Sequence, residues 1–173
     1  MEATLLAPLP QALLPELQHE LELTRRVLER APVAQFSWQP HPKSMTLGVL
    51  VSHVVDLIGG IANTFQTDEL DLSSYDELAP APPASTAELL QRLQENGAAA
   101  CAALTAATPE TFEQIWTMRY HAQIIMRLTR AEVVRHLINH CVHHRGQLSV
   151  YLRLLDVPVP SIYGPSADEE YQA

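Results

Sequence analysis

A chain of 173 residues, 47% of them hydrophobic, is long enough to bury one core, and a single domain over residues 1–173 is expected. Its formal net charge of −9, from 11 Lys+Arg against 20 Asp+Glu, excludes the basic surface that nucleic-acid binding requires. Two cysteines make no disulfide framework, no basic segment precedes the first apolar residues, and no run of about 20 apolar residues stands out, so a cytoplasmic protein with no membrane partner is expected.

The first helix is expected over about residues 11–30, with Leu14, Leu17, Leu21 and Leu28 as its apolar side. Pro15 fits only in the first turn, and Pro32 ends the element. Ser44 or Thr46 can cap the second helix, where Leu50, Val54, Leu57, Ile61 and Phe65 share a face. Trp38, just before it, is expected to pack against the end of a bundle. A proline-rich crossing over residues 67–84, with Pro80, Pro82 and Pro83, is long enough for helices two and three to run parallel. Ser85 with Glu88 forms a capping box for the third helix, which continues to about Ala106. A Thr-Pro-Glu start at Thr108 suggests a short helix, and the stretch 115–126 is left open between helix and strand. Thr129 with Glu132 caps the last helix, which stops before Pro158. These elements describe an all-α four-helix bundle.

The last helix carries a polar stripe of His136, His140, His143, His144 and Gln147. At about 100° per residue, with His136 as zero, the apolar stripe of Leu137, Cys141, Leu148 and Leu155 centres near 100–140°. His144 falls at about 80° and His140 at about 40°, on the inner rim, while His143 lies outside. His140 and His144, four residues apart, are therefore the better pair to share one ion; His136/His140 is the weaker one. Two nitrogens make half a coordination shell, so a third ligand is needed. His53 sits at the edge of the second helix's apolar stripe, and two helices packed about 8–10 Å apart bring it toward the pair. Three imidazoles would leave one position open. Asp56 either orients His53 or is a surface carboxylate. A histidine on a half-buried helix is, for its part, commonly just a satisfied core residue.

Other residues read plainly. Cys141 points into the apolar stripe and is expected to pack in the core. Arg145 projects away from the ligand face and is expected to pair with a carboxylate or the end of helix three. His121 is expected at the surface; with His136 it is the nearby candidate for a fourth ligand. No Ser-His-Asp set, phosphate-binding glycine loop or CxxC pair is present.

The stretch from His140 to Gln147, ending His-Arg-Gly-Gln, resembles the signature of the DinB-like family, also called DinB/YfiT-like metalloenzymes. Residues 36–53 resemble that family's tryptophan-proline entry into its second helix, and residues 157–169 its C-terminal segment. The resemblance implies a metal held by His53, His140 and His144, an up-down-down-up four-helix bundle, and often a homodimer. It also implies, through some relatives, thiol-dependent transferases or isomerases that use bacillithiol or mycothiol, although no residue set here marks a thiol pocket.

The resulting expectation is an enzyme of transferase or hydrolase type acting on a small molecule. It would use a divalent ion, zinc or nickel by ligand type, and a low-molecular-weight thiol such as bacillithiol as a further cofactor. The rival expectations are a non-catalytic bundle whose metal stabilises the fold or a dimer, and a metal-free interaction module. No general base can be named from the residues.

Overall fold

Three hydroxyl caps set where the long helices after the first begin. Thr46 accepts from the backbone N–H of Val49, Ser85 from that of Glu88, and Thr129 from that of Glu132. Each satisfies a donor that the first helical turn leaves orphaned. At Thr129 the box closes, because the Glu132 carboxylate reaches back to the Thr129 N–H. At Ser85 the return bond is displaced by one residue, with Glu88 accepting from Ala84 at 2.8 Å.

The computed structural model describes residues 9–74 and 82–171. In chain order its elements are α1 Leu9–Leu28, a 3-10 turn at Val33–Gln35, α2 Leu47–Gln66, β1 Glu69–Asp71, α3 Thr86–Ala106, the short α4 Pro109–Glu113, β2 Ile115–Tyr120, β3 Gln123–Thr129 and α5 Arg130–Leu154. Pro80 and the middle of the proline-rich crossing lie outside the described residues. Pro15 lies inside α1, beyond its first turn, so the expectation for that proline does not hold.

α1 and α2 each pack against both α3 and α5. β1 follows α2, β2 follows α3, and the two strands pair in parallel, so α2 and α3 both run toward the sheet. Phe65 and Phe112 meet there at 5.4 Å between ring centroids. α5 starts at the same end, where Arg130 donates to the Phe65 carbonyl, and finishes where α2 begins, with Tyr151 donating to the Met45 carbonyl. α1 runs out at that second end, where Arg26 and Arg30 pair with Glu169 of the tail that leaves α5. The course is up-down-down-up.

α2 is the central helix. Leu50, Val54, Leu57 and Ile61 are buried together with Leu47, Val51, Val55 and Ile58. By length and hydropathy α2 could cross a membrane, yet 61% of that window is buried inside the bundle, as a core helix requires. A Cβ at Gly59 would stand 2.9 Å from the Asn96 amide nitrogen. Glycine there lets Asn96 reach across and donate to the Val55 carbonyl at 3.0 Å, locking α3 to α2.

The stretch left open in the sequence is a hairpin. β2 pairs antiparallel with β3, and the sheet order is β1-β2-β3. Trp116 anchors it, 2% exposed, with its indole N–H donating to Thr67 at 3.3 Å. The bundle therefore carries a small three-stranded sheet at one end, an addition to the all-α expectation. His121 turns the hairpin with φ 50, and its backbone N–H donates to Asp71.

Candidate metal centre

Cap placement and helix period deliver His53, His140 and His144 to one point between the middles of α2 and α5. Gly60 on α2 faces the Leu137 side chain of α5, one of the contacts through which the two helices pack. A ligating nitrogen from each of the three lies within 4.8 Å of the others. Ring centroids are 4.6 Å apart for His140 and His144, 4.7 Å for His53 and His144, and 5.2 Å for His53 and His140. Among the described residues this is the group of ligating side chains compact enough to hold an ion. His136 lies 5.5 Å from His140 between ring centroids, tilted and exposed, and His121 sits in the hairpin turn; neither joins the group.

Hydrogen bonds assign the protons. Gln147 donates its amide to His143 Nε2 at 3.1 Å, which leaves its oxygen facing His144 Nδ1 at 2.7 Å. His144 must then carry its hydrogen on Nδ1 and present an Nε2 lone pair. That Nε2 stands 2.8 Å from His140 Nε2, a separation that holds one proton between two ring nitrogens. Burial pushes the His53 imidazole down to about 4, with the neighbouring charge of His144 adding to it. His140 is pushed down to about 4 as well, by burial first and then by the neighbouring histidines, His144 foremost. Both are neutral at physiological pH, the form in which imidazole binds a metal. A divalent cation in place of the shared proton meets three nitrogen donors, one of them already aimed by an outer hydrogen bond. The donor set fits such an ion.

His144 is 6% exposed and closes the inner side of the cluster. His53 and His140 instead face a cleft of about 490 Å³ between α2, the sheet and α5. Asp56, one turn from His53, lines the same cleft. A larger groove of about 700 Å³ runs between α1 and α3 past Leu21, Gly97 and Cys101, but it holds no comparable cluster.

Behind the cluster, Arg145 is 1% exposed and pairs with Glu20 of α1 at 2.6 Å. Tyr163 of the tail donates to the same carboxylate at 2.8 Å, and Thr24 lies between Arg145 and Cys141. Arg145 thus points away from the ligand face and meets a carboxylate, as expected; Cys141 is fully buried, with its thiol pushed up by burial. The orienting role of Gln147 escaped the sequence reading, although its three-residue spacing from His144 places the two on one helical face.

Comparison with known proteins finds relatives in sequence and in fold. The sequence model of the DinB family matches residues 1–172. An uncharacterized protein, YrdA, of Bacillus subtilis is 27% identical over 153 residues, 88% of this chain and 86% of that one. A DinB-like protein from Bacillus cereus superposes with a TM-score of 0.68 at 24% identity, over 88% of this chain and 97% of the other. The DinB-like protein YjoA of Bacillus subtilis gives 0.65 at 17% identity, over 92% and 99%.

Proposed function

This chain belongs to the DinB family, and from that premise we propose that it is a metal-dependent enzyme whose ion is held by His53, His140 and His144. One observation carries the reading: in a cluster of three imidazoles, His53 and His140 wall a cleft while Gln147 orients the third, His144. Imidazole donors suit zinc or nickel, and we propose one of these as the physiological metal. When bound, such an ion supplies Lewis acidity and lowers the pKa of a water or thiol beside it.

The chain's own residues do the rest. Gln147 holds His144 in the tautomer that offers Nε2. Burial keeps His53 and His140 unprotonated. The open side of the cluster toward the cleft leaves room for a reactant, which favours catalysis over a structural staple, since structural sites are closed by protein ligands. The proposed chemistry is transfer to or hydrolysis of a small molecule, with a low-molecular-weight thiol such as bacillithiol as the nucleophile in the transferase case. A homodimer, on the strength of the family resemblance, and a cytoplasmic setting, suited to two free cysteines, complete the proposal.

Elemental analysis of the purified protein tests the site directly. About one zinc or nickel per chain is expected, and replacing His144 with Ala should abolish it. Metal content that survives His144→Ala would move the site to His136/His140.

A further inference from the structure

The cleft beside the histidines selects by charge as well as by shape. Its apolar walls come from Leu57 of α2, Leu70 of β1, Leu72 just after β1, Met118 of β2 and Leu137 of α5. Two amides, of Asn63 and Asn96, stand among them. No Lys or Arg lines it among the described residues, and the acid present is Asp56. The nearby cations face elsewhere: Arg119 is tied to Glu69 and Asp71, and Arg130 to Asp68. A volume of about 490 Å³ is in the range of small-molecule sites.

A negative group set among these walls, away from the end where the proposed ion sits, would lose water without gaining a Lys or Arg partner. An apolar body would exchange water for four leucines and a methionine. We infer that the cleft seats an apolar-bodied small molecule carrying no negative charge, the acceptor of the proposed reaction and not an anionic thiol. This depends on the proposed metal site only for where the reactive end of the molecule points; the walls select the body by themselves. An anionic thiol would have to reach the ion from outside these walls.

A matched pair of probes tests it. 2-Naphthalenemethanol and 2-naphthalenesulfonate share a ring system and differ in charge, and sulfonate is a weak metal ligand. Binding of each is measured by calorimetry to the protein as purified and after chelator treatment. The neutral probe should bind about tenfold or more tighter than the sulfonate after chelator treatment, and should stay the tighter binder in the protein as purified, where the proposed ion narrows the margin. Leu72→Arg, at a half-exposed wall position outside the long helices, should narrow or invert that preference, with circular dichroism checking the fold. Met118→Lys serves as a second variant on the strand wall should Leu72→Arg not fold. Equal or tighter sulfonate binding by the unsubstituted protein would overturn the assignment. So would neutral binding weaker than about 1 mM, or a preference that ignores both substitutions. Metal analysis separates the two readings: probe selectivity in a protein that holds no metal would sink the enzyme proposal and leave the cleft's occupant class standing.

Discussion

The Gln147 side-chain oxygen lies 2.7 Å from His144 Nδ1, and this contact decides which nitrogen of His144 faces its partners. Without it the ring is free to place its hydrogen on Nε2, where a metal would need the lone pair. Gln147→Ala is expected to lower metal affinity about 10–100-fold, the usual cost of removing an outer-shell partner. Competition with a chromophoric chelator measures it, and circular dichroism should show the helices intact. Unchanged affinity would mean that Gln147 serves packing alone.

The same contact shows what was readable in advance. His140 and His144 were legible because a four-residue spacing on a capped, periodic helix leaves little freedom in where they point. His53 was legible through its edge position on an equally regular helix. The cleft was not, because Leu70, Asn96 and Met118 come from three elements that no local pattern relates. The hairpin hid for a related reason: its turn lacks the usual Asn-Gly or Asp-Gly, and His121 takes the positive φ instead. Glu20 and Arg145 are 125 residues apart, so their pairing depends on the α1–α5 packing and could be anticipated only as some carboxylate. Pro15 departs from the first-turn expectation because burial of Leu13 and Leu17 on either side of it favours the helix through that point.

Arg145 and Glu20 form a buried ion pair, with side chains 1% and 9% exposed. Removing one partner strands the other in the core, and Arg145→Ala is expected to cost about 3–5 kcal/mol of stability. Tyr163→Phe should cost less, about 1.5–3 kcal/mol, since it deletes a hydrogen bond to a charged group at a partly exposed ring. Urea denaturation of both variants checks the order. A Tyr163→Phe loss equal to that of Arg145→Ala would show that the tail, not the ion pair, is the main tie.

Acid should destabilise the metal-free protein in a defined window. His53 and His140 are held at about 4 when folded, by burial first, against an ordinary value of 6.5. As pH falls from about 6.5 toward 4, the unfolded chain binds protons that the folded one refuses, so stability falls over that range. Below about 4 these two groups contribute no further loss. Asp71, held down to about 2 chiefly by the Ser73 hydroxyl, acts in a separate window, between 3.8 and 2. Melting temperatures of chelator-treated protein from pH 7.5 to 4.5 should therefore slope downward, and His53→Gln should flatten the slope. A flat profile in the unsubstituted protein would contradict the buried neutral state of both rings.

Stripping the metal should leave the fold standing. Leu17, Val54, Ile58, Ile138 and Leu152 are all buried at 2% exposure or less, in a core to which every long helix except α3 contributes here, and α3 adds Leu89 and Ala100. A chain of this size gains enough from such burial to fold without a staple, unlike a zinc finger that unfolds without its ion. The cluster also lies at mid-helix on α2 and α5, elements already held together by Arg130 and Phe65 at one end and Tyr151 and Met45 at the other. Removing an ion between such fixed ends frees three side chains and no backbone. Chelator treatment is expected to preserve the helical circular dichroism, with a melting temperature lowered by only a few degrees, about what 1–2 kcal/mol produces in a domain of this length. Complete unfolding on chelation would instead make the ion a structural element. A fourth protein ligand, found by absorption spectroscopy of the cobalt-substituted protein, would point the same way, because it would close the position on which the catalytic reading depends.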